Sequence, residues 1–181
     1  WTNSDNWTVH SSAAASSSNY YYPFNESSLP ASGYELLTKT HYDDYKGLPS
    51  GLSDYLTTWD NHFNSTSNTW PYPVLPQKSM AIKGLQTWTQ VKILGTANNF
   101  INTVSYYDEK GRVIQVQNTN ITGGTDVMTM QYNWSGQPLI TVQKQEKNGG
   151  GAQTTVVVTK LTYDDLGRLA KTEKKLSNTT I

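Results

Sequence analysis

Three pairs of adjacent carboxylates, Asp43-Asp44, Asp108-Glu109 and Asp164-Asp165, are the residues best suited by type to acid–base chemistry. Hydrolysis of a glycosidic bond sets two carboxyl groups across a cleft at a defined separation. Neighbours along a strand point to opposite faces instead. Two of the pairs also begin with the aspartate of a turn motif, so turn chemistry accounts for them better. His10, His41 and His62 stand in separate contexts, no two at metal-ligand spacing, which argues against a zinc centre. Asp43 and Asp44 have loop carbonyls nearby, but the sequence holds no Asp-x-Asp-x-Asp-Gly calcium loop. No Gly-x-Ser-x-Gly elbow accompanies the serines. Asn148-Gly149-Gly150-Gly151 lacks the lysine and following helix of a phosphate loop. No catalytic residue, metal or cofactor is expected. Trp59, Trp70, Trp88 and Trp134 have flat apolar faces of the kind that stack on sugar rings. Bulky aromatics equally cover a thin β core, and that reading carries more weight. Trp134, inside a turn, is the best placed for an exposed ring.

The elements that would hold these residues are hairpins. Val104 and Tyr106 lead into the corner Asp108-Glu109-Lys110-Gly111, and Val113 and Gln115 lead out of it. Aspartate at the first turn position accepts a hydrogen bond from a backbone N–H two residues on. Glycine at the last takes positive φ, so the chain returns antiparallel. Tyr107 before the corner and Arg112 after it are expected to pair across the strands. The same order recurs at Tyr163-Asp164-Asp165-Leu166-Gly167-Arg168-Leu169. A decayed copy runs Tyr132-Asn133-Trp134-Ser135-Gly136-Gln137-Pro138-Leu139. Tyr42-Asp43-Asp44-Tyr45-Lys46-Gly47-Leu48 is an outlier whose glycine comes one place late. Hairpins recurring every few tens of residues mark a repeat architecture.

This pattern resembles the YD-repeat (RHS) family, whose hallmark is Tyr-Asp-x-x-Gly-Arg-Leu; two copies match it closely, and the resemblance covers about Glu35 to the C-terminus. It implies a fragment of a large, secreted or surface-displayed bacterial protein. Successive hairpins of that family wind into a curved β-shell around a cavity, which encloses a toxin domain or serves contact between cells. The expected partners are then further repeats of the same polypeptide, and the expected location is extracellular or at the cell surface.

The 181 residues suffice for one domain with a real core, yet only 35% are hydrophobic. Abundant Thr, Asn, Ser and Tyr suit strands with one solvated face, and no long segment carries apolar residues at helical spacing. The fold class is all-β. A formal net charge of zero without a long basic run argues against nucleic acid as a partner. No apolar run approaches a membrane span. The absence of cysteine excludes disulfides and thiolate chemistry. The chain begins at Trp1 and stops just after a hairpin, so it reads as a piece of a larger polypeptide. Six Asn-x-Ser/Thr sequons, at Asn6, Asn25, Asn64, Asn120, Asn133 and Asn178, are what so Asn- and Thr-rich a chain produces by coincidence.

Three regions are expected. Residues 1–33 are rich in Ser, Asn and aromatics and read as irregular, linker-like chain with one or two short strands pinned by Trp1, Trp7, Tyr20, Tyr21, Tyr22 and Phe24. Residues 34–79 hold a strand at 35–42, with Leu37 inward, then a Pro-rich insertion; a helical turn is predicted there with Ser53 as its N-cap. Residues 80–181 carry the hairpin repeats, with strands expected near 85–94, 100–107, 112–117, 127–132, 139–146, 154–163 and 168–176, which with the strand at 35–42 makes about eight. The candidate functional residues are Tyr107, Asp108, Gly111, Arg112, Tyr132, Gly136, Tyr163, Asp164, Gly167 and Arg168 as structural motif, with Trp59, Trp70, Trp88 and Trp134 as a glycan-stacking alternative.

Overall fold

The computed structural model describes residues 8–12 and 35–180, with side chains for 35–177. Alternating β-branched, aromatic and polar residues form one open ten-stranded sheet. The strands are β1 (Thr8–Ser12), β2 (Thr38–Tyr42), β3 (Pro73–Val74), β4 (Gln86–Lys92), β5 (Phe100–Tyr107), β6 (Val113–Thr119), β7 (Thr125–Asn133), β8 (Pro138–Lys147), β9 (Gln153–Tyr163) and β10 (Leu169–Thr180). Their order is β1-β2-β4-β5-β6-β7-β8-β9-β10, with β3 laid beside β7. All pairings are antiparallel except β1 with β2. The all-β expectation is met and its strand spans agree to within a few residues. The aromatic side chains expected to pin the N-terminal region lie outside the described residues.

Directly opposed residues share a face. One face runs Trp88, Val104, Gln117, Val127 through one row and Tyr106, Gln115, Thr129, Val142, Val158 through the next. Trp88, Val104, Tyr106 and Ile114 form one buried cluster, joined by Tyr45, Leu48, Leu52 and Tyr55; Leu139, Ile140 and Val142 form a second, joined by Trp59 and Phe63. Both clusters are therefore covered in part by the Pro-rich segment, which lies across the sheet as a strap, and in part by sheet residues Tyr132, Val156, Val158 and Tyr163.

The strap is not helical at Ser53. It is irregular there, with a bend at Asp54, and its one helical element among the described residues is a short 3-10 turn at Asp60–His62. Amide side chains on the sheet explain why. Gln117 accepts from Ser53 N–H at 3.0 Å and donates to Asp54 O at 3.1 Å. Gln115 accepts from Leu56 N–H at 2.9 Å and donates to Leu56 O at 2.8 Å. Gln131 does the same to Asn64, at 3.0 and 2.6 Å. Asn102 donates to Ser50 O, and the Tyr106 hydroxyl to Ser53 O. All three glutamines are fully buried, so each amide must be paired, and the strap backbone supplies the partners. A helical turn would spend those backbone groups on itself.

Candidate functional site: the row of hairpin corners

Corner geometry follows from one carboxylate or amide. Asp108 Oδ1 accepts from Lys110 N–H and Arg112 N–H, both at 2.9 Å, and Oδ2 accepts from Arg112 Nε at 2.6 Å. The backbone closes with Gly111 N–H donating to Asp108 O and Asp108 N–H to Arg112 O, each at 3.0 Å. Gly111 has φ +72°, the left-handed region open to glycine. Asp164 repeats this with Leu166 N–H, Arg168 N–H and Arg168 Nε at 3.0, 2.8 and 2.7 Å, and Gly167 has φ +75°. In the decayed copy Asn133 Oδ1 accepts from Gln137 N–H, and Asn133 Nδ2 donates to Gln137 Oε1, both at 2.8 Å. Asparagine thus does locally what aspartate does, with glutamine replacing arginine to match its donors.

A fourth corner is split. Asp43 N–H donates to Leu85 O at 3.2 Å, and Asp43 Oδ1 accepts from Gly84 N–H at 2.6 Å. The glycine that completes the Tyr42-Asp43 corner is therefore Gly84, not Gly47. Residues 44–83, the strap included, are inserted inside a hairpin turn. Each corner carries a β-bulge at the same place: pairing skips Thr87, Ile114, Leu139 and Ala170 in turn.

Successive corners are tied together. The tyrosine before each corner reaches back to the second residue after the glycine of the previous one. Tyr107 Oη donates to Gln86 O at 2.6 Å, Tyr132 Oη to Val113 O at 2.9 Å and Tyr163 Oη to Pro138 O at 2.9 Å. The residue after the glycine reaches forward. Arg112 donates to Asn133 O at 3.0 Å and its guanidinium lies 4.8 Å from the Tyr132 ring centroid; Gln137 Nε2 donates to Gly167 O at 2.8 Å. The expected Tyr–Arg pairing within a hairpin is thus replaced by pairing between hairpins. Tyr107, Asp108, Gly111, Arg112, Tyr132, Gly136, Tyr163, Asp164, Gly167 and Arg168 all fall in this one row.

The tryptophans divide. Trp88 is only 5% exposed, stacked on His41 at 4.8 Å with its Nε1 donating to Lys46 O, so it is a core residue and offers no stacking surface. Trp59 is half-buried against the Leu139–Val142 cluster. Trp134 is 70% exposed and Trp70 46%. Trp134 N–H donates to Tyr72 O at 2.9 Å, so the Asn133–Gly136 corner is tied by its backbone to the segment that carries the Trp70–Tyr72 ring pair. Lys110 Nζ lies 3.9 Å from the Trp134 ring centroid. A groove of about 420 Å³ beside Trp70 is lined by Asn64, Thr69, Lys160 and Tyr163.

The first aspartate of each carboxylate pair holds its corner, and Asp44 is held by hydrogen bonds of its own. Burial pushes the Asp44 carboxyl up, but hydrogen bonds from His41 Nε2 (2.8 Å) and Lys46 N–H outweigh it and hold it below the usual range. Lys78 beside Asp54 holds that carboxyl low as well. Asp60 is pushed up by burial, and its Oδ1 has no hydrogen-bond partner among the described residues. Among the described residues no three His, Cys, Asp or Glu side chains gather at metal-binding distance. What the sequence reading missed was the amide clamp of Gln115, Gln117 and Gln131; glutamines at alternate, inward positions of β6 and β7 were its signal.

No family model matches this chain, and no curated protein or solved structure was found to match it.

Proposed function

We propose that the chain is a non-catalytic structural segment of a secreted or surface-displayed YD-repeat (RHS) protein, and that its sheet is wall that encloses or presents another domain. The observation that carries this reading is the interlocked corner row. The tyrosine, aspartate and arginine positions that resemble the family hallmark make hydrogen bonds within and between corners. Gly111→Val tests it: positive φ is closed to a β-branched residue, so calorimetry should read a loss of about 1–3 kcal/mol. An unchanged transition would remove the corners as the basis of the fold.

A second reading, carbohydrate binding, is favoured by one arrangement. The exposed Trp70 ring lines a groove with amide and hydroxyl groups, Tyr72 packs edge-on against it, and the backbone of Tyr72 is hydrogen-bonded to that of the exposed Trp134. Titration with neutral polysaccharides, followed by tryptophan fluorescence, tests it. Saturable quenching abolished by Trp134→Ala supports binding, and a flat titration ends the idea.

A further inference from the structure

We infer that the outer edge of β10 is the seat of one further β-hairpin whose corner reads Tyr-Asp-x-x-Gly or Tyr-Asn-x-x-Gly, and that Arg168 and the Leu169 carbonyl are its docking groups. The inference rests on the structural reading above and adds the partner's chemistry and register.

Three independent features end abruptly at this edge. The first is the forward donor. Arg112 and Gln137 each hold their own corner residue and also a carbonyl of the next corner. Arg168 holds its own Asp164 in the same way, but its side chain is 74% exposed and among the described residues its terminal nitrogens meet no carbonyl. The second is the backward acceptor. Gln86, Val113 and Pro138 each receive a tyrosine hydroxyl at the second position after the corner glycine; Leu169 is the equivalent position, and among the described residues no side chain donates to it. The third is the bulged residue. Thr87, Ile114 and Leu139 are buried, whereas Ala170 is exposed. One added hairpin with a tyrosine before its corner would complete all three at once, its first strand pairing antiparallel with β10, which among the described residues pairs with β9 alone. A second copy of this chain does not fit. Its three unbroken corners already hold their tyrosines on its own strands, and its β10 would run with the Arg168 ends apart.

The test extends the chain after Ile181 by a second copy of residues 148–180, which brings loop, strand, corner and return strand in the order that follows β8. The extended chain should melt higher than the 181-residue chain, and the outward amides of β10 should exchange more slowly. Arg168→Ala should lower the melting temperature by several degrees in the extended chain and much less in the original. Replacing the copied tyrosine by phenylalanine should reverse the slowed exchange in part. An equal effect of Arg168→Ala in both chains, or unchanged exchange in β10, overturns the proposal. If the extension does not fold cooperatively, the hairpin of residues 153–180 is added as a free peptide, and failure to slow β10 exchange overturns it as well. Gly111→Val in the 181-residue chain separates the two readings: if it destabilises while the added hairpin does not dock, the inference falls and the structural assignment stands.

Discussion

The Tyr132 hydroxyl donates to the carbonyl of Val113 across 2.9 Å, tying the entry to one hairpin corner to the exit from the one before. The guanidinium of Arg112 lies against the same ring from that earlier corner, so the two hairpins hold each other from both sides.

Tyr132→Phe keeps the ring and removes the donor. With Tyr132 half-buried, the loss should be about 1 kcal/mol in urea unfolding. Tyr163→Phe, nearer the open end of the row, should cost less. Equal and negligible effects would mean that the ties are incidental to the sheet.

Gly124 and Gly150 give a matched pair of substitutions. A Cβ on Gly124 would stand 2.2 Å from the Glu146 carbonyl oxygen, while one on Gly150 meets nothing within 4 Å. Gly124→Ala should therefore destabilise by about 1–3 kcal/mol, the range of forced backbone shifts, and Gly150→Ala by almost nothing. Thermal melts of the two variants decide it.

Gln131→Leu has similar bulk but leaves both polar groups of Asn64 without their partner. A loss of about 1–3 kcal/mol is expected, with faster protease cleavage near residues 60–66 before the sheet itself opens. Cleavage that instead begins in β7 would show the strap to be no more labile than the sheet.

Asp60 sets a pH dependence of opposite sign to Asp44. Burial raises the folded-state value of Asp60, so the folded chain binds its proton more tightly than the unfolded chain does. Its stabilising protonated form is complete below the ordinary carboxylate value of about 3.9 and is lost as pH rises through the raised one. Asp60→Asn should raise the melting temperature at pH 7 and leave it unchanged in acid. For Asp44, held low, the contribution is present at neutral pH and lost as pH falls below the ordinary carboxylate range.

What could be read in the sequence was local. Asp108, Gly111 and Arg112 make their corner with each other, so a few adjacent residues carry the whole signal, and the strands beside them alternate cleanly. What could not be read depends on partners far along the chain. The first corner looked malformed because Asp43 closes against Gly84 with residues 44–83 between them. Ser53 looked like a cap because nothing near it in sequence reveals Gln117, which takes up its N–H and hydroxyl. Trp134 could be read as an exposed ring from its place in a turn, whereas the burial of Trp88 depends on the distant strap and the His41 ring.

The split corner has a consequence for how such a chain can vary. Asp43 and Gly84 meet at hydrogen-bond distance, so the intervening segment departs and returns through a single gate, and the register of β2 against β4 is indifferent to its length. Lengthening it should cost only the slow logarithmic growth of loop closure. Foreign sequence grafted at that gate leaves β2 and β4 as each other's neighbours.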